Sequence, residues 1–202
     1  MLYTTRRIRR INMQPDLHVF VGAAWIVVGI VWLAGAARTK RTAQAQSLGS
    51  RLLHTLLAAA AFALVFNPSL SVGPLAWRFV PNSAVIAYTG LALTVAGTVF
   101  AIWARVFLGR NWSSFVTIKE EHQMIQSGPY ALVRHPIYSG FLLGLLGTAL
   151  ASGEVRALVA LPIAFLAWWT KSRLEEKFME QRFGDEYAAY RRRVKALIPF
   201  VL

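Results

Sequence analysis

Three long stretches of the chain carry no formal charge: Leu17 to Ala37, Leu52 to Trp77 and Phe79 to Ala104. At about 1.5 Å of rise per helical residue, each is long enough to cross a hydrocarbon core of roughly 30 Å. The second stretch is broken by Asn67-Pro68 and Gly73-Pro74. Proline has no amide hydrogen to give inside a helix, so that span is predicted to end near Phe66. Pro81-Asn82-Ser83 precedes the third span as its cap, and Arg105 marks its end. Two shorter apolar runs, Ile137 to Gly153 and Ala157 to Thr170, are separated only by Glu154, Val155 and Arg156. They suit a tight helical hairpin turning at Ser152-Gly153, with Arg156 and Lys171 snorkelling at its ends.

Between the third and fourth runs lies a polar stretch, Arg105 to Arg134, that lipid would not accept. After Lys171, Leu174, Phe178, Phe183, Tyr187, Tyr190 and Val194 recur at spacings of three to five among many charges, with Gly184 as a break. That is the pattern of an amphipathic helical tail lying on the membrane or on the loop before the hairpin. The expected fold class is therefore an all-α integral membrane protein of about five transmembrane helices. A cytoplasmic cap and a C-terminal amphipathic helix complete it. No linker or repeat divides the chain, so residues 1–202 read as one domain, with three spans in 1–104 and the polar, chemistry-bearing half in 105–202.

Composition agrees: 56% of the 202 residues are hydrophobic and only 15% are charged, against roughly 25% in an average soluble domain. The net charge of +13 does not signal nucleic acid, because the basic residues sit in short clusters beside the apolar runs. The expected surroundings are membrane lipids. Five spans put the first loop, the third loop and the tail on one side, which then holds sixteen of the 22 Lys and Arg. The positive-inside rule makes that side cytoplasmic, in an inner or plasma membrane. Arg6, Arg7, Arg9 and Arg10 oppose this orientation, and translation starting at Met13 would remove all four. There is no cysteine, so disulfides, thiolate metal sites and a thiol nucleophile are excluded, and no metal site is expected.

The candidate chemistry is concentrated before the hairpin and after it. His122, Tyr130, Arg134, His135 and Tyr138 fall within one short stretch. Pro136 disfavours the helical conformation at His135 and suits a helix start, so Arg134 and His135 should sit on an extended lead-in at the membrane surface. Lys171, Arg173, Glu175 and Glu176 follow the last apolar run. Two adjacent carboxylates there need a cation, either a structural arginine or a ligand's ammonium.

These blocks resemble the isoprenylcysteine carboxyl methyltransferase family and its phospholipid methyltransferase relatives. The resemblance rests on His122 followed by Ser127-Gly128-Pro129-Tyr130, on Arg134-His135-Pro136-x-Tyr138-x-Gly140, and on Glu175-Glu176. Phe183-Gly184-x-Glu186-Tyr187-x-x-Tyr190 and Ile198-Pro199-Phe200 extend it over roughly Gly109 to the C-terminus. It implies an S-adenosylmethionine-dependent enzyme that methylates a lipophilic, membrane-embedded acceptor, first of all an isoprenylcysteine-like carboxylate. It further implies that His122, Gln123, Met124, Ile125, Tyr130, His135, Pro136, Ile137, Tyr138, Glu175 and Glu176 bind the cofactor. Arg134, Lys171 and Arg173 would then serve catalysis. The family usually carries an arginine four residues before the first glutamate. Lys171 stands there instead, and lysine does not reproduce two-pronged carboxylate binding.

By chemical type alone, tyrosine and apolar residues can enclose an adenine, Arg134 a carboxylate, and Glu175 an ammonium or ribose hydroxyls. No G-x-G-x-x-G occurs, which excludes a Rossmann-type methyltransferase. A phospholipid or small-thiol methyltransferase and a non-enzymatic transporter or scaffold remain alternatives. A transporter would place ionisable groups near the middle of its spans. Only His18 and His54 titrate within them, both near run ends. Gly140, Gly144 and Gly147 form a small-residue stripe, expected to be a groove that admits the acceptor laterally between the third span and the hairpin.

Overall fold

The computed structural model describes residues 14–36, 42–45, 47–109, 117–119 and 124–201. Five helices dominate it: α1 (Gln14–Ala36), α2 (Leu48–Phe66), α3 (Ala84–Leu108), α4 (Pro136–Ser152) and α5 (Val155–Arg193). The protein is an all-helical integral membrane protein. The one sheet among the described residues is a short antiparallel ladder of β1 (Thr42–Ala45) and β2 (Thr117–Lys119), which ties the first loop to the third. Leu17–Gly35, Leu48–Phe66 and Ala84–Leu108 are each long and apolar enough to cross a membrane. α4 is apolar but shorter, and α5 opens with an apolar half.

Most boundaries follow the residues named above. α2 stops at Phe66 because Asn67 leaves the helical conformation and its side chain caps a single turn that starts at Pro68. α4 stops at Gly153, whose left-handed backbone (φ +70°) costs glycine little. Two elements differ from expectation. α3 continues through Arg105, which is buried beside the end of α1 at Gly35, to Leu108. The tail is no separate helix at its start: α5 runs on through Lys171 and bends only at Gly184 (φ +50°, ψ −122°). After that bend the chain folds back, bringing Arg191 onto Glu180 and Glu176.

The glycine stripe of α4 is a helix contact, which corrects the expectation of a lateral groove. A Cβ on Gly140 would come within 2.6 Å of the Gly97 carbonyl oxygen, and one on Gly147 within 2.5 Å of the Gly90 carbonyl oxygen. α3 and α4 therefore touch backbone to backbone, the close approach that glycine permits in lipid. Trp25 covers Gly144, and its indole N–H donates to Thr148 Oγ1 at 3.0 Å. A lipid chain has no path along this stripe.

α2 lies against α5 through Ala61, Val65, Ala157, Ala160, Ala164 and Trp168. Their far ends are fastened by Arg156, whose Nη1 donates to the carbonyls of Leu64, Val65 and Asn67 at 2.9, 3.0 and 3.1 Å. Leu64 and Val65 belong to the last turn of α2, whose carbonyls its own helix leaves unpaired, and Asn67 is the residue that caps it. Glu154 takes Arg156 Nε at 2.5 Å and the Ser71 hydroxyl at 2.9 Å.

Candidate functional site

At the other end of α4 and α5 the residues before and after the hairpin meet. The expected extended lead-in is non-helical but not extended: Arg134 lies in a bend, and His135 (φ −124°, ψ +61°) is off the helical conformation that Pro136 disfavours. Their amides donate to the carbonyls of Lys195 and Ala196 at 2.8 and 3.0 Å. The Ser139 hydroxyl donates to the Leu197 carbonyl at 2.6 Å, so the C-terminal segment is stitched to the start of α4. Tyr190 packs over the preceding loop, and its hydroxyl donates to the Tyr130 carbonyl at 2.6 Å. Tyr187 is buried beside it. The amphipathic tail thus lies on the loop before the hairpin.

Glu176 is the anchor. It is 2% exposed, and one oxygen receives Arg134 Nε at 2.9 Å and Nη2 at 2.5 Å. Its other oxygen receives Arg173 Nη1 at 3.2 Å and lies 3.8 Å from Arg191 Nε. Burial alone would raise its pKa, but His135 and Arg134 outweigh this and bring it down to about 2. The remaining Arg134 nitrogen, Nη1, donates to the carbonyls of Arg191 and Val194. Arg134 is thereby committed to the scaffold rather than turned toward a ligand.

His135 bridges the two glutamates, with Nδ1 3.3 Å from Glu175 Oε2 and Nε2 3.3 Å from Glu176 Oε1. Burial disfavours its charged form, yet hydrogen bonds and attraction from both carboxylates raise its pKa above the ordinary value. Glu175 differs from its neighbour. Its side chain keeps 26% of its exposure, and the Tyr138 hydroxyl donates to it at 2.5 Å. Burial would raise its pKa, but His135, Lys171 and Tyr138 hold it below the ordinary value, so it stays an anion.

The Tyr138 ring stands between His135 (5.7 Å between centroids, 12° between planes) and Trp168 (6.3 Å, 6°). Lys171 Nζ lies 5.6 Å from the centre of the same ring. Arg173 lies over Trp169 and is the most exposed of the arginines round Glu176. Ile125 packs with Tyr130, Ile137 and Tyr138 under the same surface. Met124, which precedes Ile125 in the chain, is half-buried, while His122 and Gln123 lie outside the described residues.

The geometry therefore gathers Ile125, Tyr130, Arg134, His135, Pro136, Ile137, Tyr138, Lys171, Arg173, Glu175 and Glu176 at one end of the bundle. Tyr190 sits on the loop before the hairpin, as the tail's pattern implies, while two contributors have no place among the expected site residues: Trp168 and the Lys195–Leu197 backbone. Trp168 had a signal, since residues 168, 171, 172 and 175 share one helical face. The backbone partners had none.

The chain is similar to known proteins in sequence and in fold. Residues 85–186 match the family model described as phospholipid methyltransferase. A probable protein-S-isoprenylcysteine O-methyltransferase of Oryza sativa subsp. indica is 34% identical over 119 residues, 57% of this chain and 62% of the relative. Protein-S-isoprenylcysteine O-methyltransferase B of Arabidopsis thaliana is 29% identical over 119 residues, 57% and 60% of the two chains. The chain thus spans under two thirds of the length of these relatives. Among solved structures, the eukaryotic intramembrane Ras methyltransferase ICMT (isoprenylcysteine carboxyl methyltransferase) matches with a TM-score of 0.52 and 23% identity. The match covers 73% of this chain and 52% of that one, and shows a shared fold.

Proposed function

Because this chain belongs to the phospholipid methyltransferase family, we propose that it is an S-adenosylmethionine-dependent enzyme that methylates a lipophilic acceptor, an isoprenylcysteine-like carboxylate, at the cytoplasmic membrane face. The observation that carries this reading is the contrast between two adjacent glutamates. Glu176 is saturated by arginines, whereas Glu175 is a partly exposed anion with no arginine on it, beside stacked aromatic rings.

That donor set fits S-adenosylmethionine. Glu175 suits an ammonium or ribose hydroxyls, and Ile125 and Tyr130 give an apolar and aromatic wall for an adenine, which Met124 extends in this reading. Tyr138, stacked between His135 and Trp168, adds aromatic surface beside Glu175. When bound, S-adenosylmethionine supplies a methyl group on a cationic sulfur, which keeps the C–S electron pair as an acceptor oxygen takes the methyl.

The chain's own residues have three tasks. Arg134 and Arg173 fix Glu176, and through it His135, so that Glu175 is held in one place. Tyr138 and His135 keep Glu175 ionised and oriented. Lys171, at the membrane edge of the cluster, faces the acceptor. A carboxylate acceptor is already a nucleophile, so no general base is required. Holding two reactants in line accounts for roughly 7–11 kcal/mol of barrier in well-oriented reactions. His122 and Gln123 join the cofactor-binding set in this reading. The cytoplasmic face follows from the Lys/Arg asymmetry of the loops.

The test is calorimetry of the detergent-purified protein with S-adenosylhomocysteine, beside NADPH as the nucleotide control. Saturable binding of S-adenosylhomocysteine, lost in Glu175→Ala, is expected. Indifference of the wild type to S-adenosylhomocysteine would end the assignment.

A further inference from the structure

An ammonium is a point charge on a flexible stem, while a carboxylate presents two oxygens in a plane, so Lys171 by itself holds such an acceptor poorly. α2 carries a second donor at the same level. His54 lies two turns before Ala61 and three before Val65, spacings that return to one helix face. That face is the one packed on α5. Arg156 fastens the end of α2 to the start of α5, so the two helices run antiparallel. The roughly 16 Å of rise from Val65 back to His54 reaches the level of Trp168 to Lys171. His54 is 8% exposed, and both Lys171 and Glu175 act electrostatically on its ring.

Polar groups in membrane helices are costly, and those facing the bundle interior generally serve a purpose there. His54 has one hydrogen-bond partner among the described residues, the Ser50 hydroxyl, 3.5 Å from Nδ1. Ser50 lies one turn closer to the start of α2. With Nδ1 next to that hydroxyl, Nε2 is the ring nitrogen left for a ligand, and it donates in the tautomer in which Nδ1 accepts from Ser50.

We infer that His54 and Lys171 together hold the carboxylate of the methyl acceptor, one donor from each of two helices. The inference rests on the methyltransferase reading and deepens it: the site recognises a carboxylate through α2, a helix outside residues 85–186 that match the family. Nε2–H of His54 takes one oxygen, Nζ of Lys171 neutralises the charge, and the other oxygen is left to react. The head group enters beside α2, the side of α5 away from the sealed α3–α4 contact.

The experiment uses the full chain in detergent with N-acetyl-S-farnesylcysteine as the probe acceptor, recording acceptor KM, kcat and S-adenosylhomocysteine affinity. His54→Ala is expected to raise the acceptor KM about tenfold or more, the effect of losing a hydrogen bond to a charged group. S-adenosylhomocysteine affinity should stay within about twofold. His54→Phe fills the same space without a donor and should show the same loss. Adding Lys171→Arg to His54→Ala should recover most of it, because a guanidinium supplies both donors. An unchanged KM in His54→Ala or His54→Phe, a parallel loss of S-adenosylhomocysteine affinity, or no rescue by Lys171→Arg would each overturn the pair. A wild type that binds S-adenosylhomocysteine but leaves this acceptor unmethylated would overturn the acceptor class and the pair with it.

Discussion

The two ends of the α4–α5 hairpin, its turn at the start of α5 and its open end where α4 begins, carry the same ingredients, arginines and glutamates, and put them to different use. At the turn, Arg156 closes the carbonyls at the end of α2, and Glu154 closes Arg156. Every charge there is spent on a joint. Near Glu176 there is one carboxylate more than the joint needs. Arginines satisfy Glu176, and Glu175 is left partly exposed and held by a tyrosine and a histidine instead of an arginine. A cluster of ion pairs at a membrane surface is therefore not a site in itself; the surplus anion beside aromatic rings is what distinguishes one.

The sharpest way to break this contrast is to remove the arginine from each end. Arg134→Ala strands the buried Glu176, and losing one partner of a buried pair costs about 3–5 kcal/mol. A large fall in thermal midpoint is expected, with S-adenosylhomocysteine no longer raising it. Arg156→Ala takes their donor from the carbonyls of Leu64 and Val65 and leaves the partly buried Glu154 with the Ser71 hydroxyl alone, for about 2–3 kcal/mol, but should keep the ligand response. Loss of that response in Arg156→Ala, measured well below its midpoint, would erase the distinction.

Glu175→Gln probes the surplus carboxylate alone. It retains the size and an acceptor for Tyr138, so the midpoint of the ligand-free protein should move little. The shift caused by S-adenosylhomocysteine should vanish, since a ligand stabilises only by binding the folded state. Preservation of the shift would move the cofactor to other residues.

Gly184→Ala acts on the fold-back that only this end possesses. Its φ of +50° with ψ of −122° is open to glycine and strained for other residues, by about 1–3 kcal/mol. No side chain crowds the position, so the loss expected on denaturation is one of backbone alone. Protease cutting in the tail should rise before any cutting near Gly153. A variant as stable as the wild type would mean that the bend is not built into the fold.

pH gives the smallest effect and separates the ends by sign. Glu154 and Glu176 are both held below the ordinary value of 4.5, so each stabilises above it and loses that as pH falls, for Glu176 toward about 2. Acid therefore weakens both ends. His135 is held above 6.5, so its contribution is complete below that and is lost as pH rises through the raised value. Only the end with Glu175 has such a group. A decline in midpoint above neutrality that disappears in His135→Gln is the expected pattern; an identical decline in that variant would assign it elsewhere.

The helices were legible because lipid imposes a harsh rule: uncharged runs of sufficient length, stopped by Pro68 and Gly153. α3 ran past its expected end because Arg105 is buried against α1 at Gly35, a contact no local pattern encodes. α5 ran past Lys171 because helical propensity through Glu175 and Lys177 outweighs the change from apolar to polar faces. In the site, the need of Glu175-Glu176 for cations was readable from charge and was met by Arg134, Arg173 and Arg191. The split of labour between the two glutamates was not, since it depends on which one the arginines reach. Gly140, Gly144 and Gly147 were read as a groove because a stripe of small residues gives the same pattern whether lipid or a helix covers it; Gly90 and Gly97 on α3 were the missing half.

The stitching of Arg134, His135 and Ser139 to Lys195, Ala196 and Leu197 has a consequence for biogenesis. Those carbonyls belong to a stretch that leaves the ribosome after every helix of the bundle. The lead-in to α4 must wait, with unmet amides, until the helices are in the bilayer and the tail folds back at Gly184. The cluster around Glu175 is thus finished only on a chain that has already been inserted, and a nascent or stalled polypeptide lacks it.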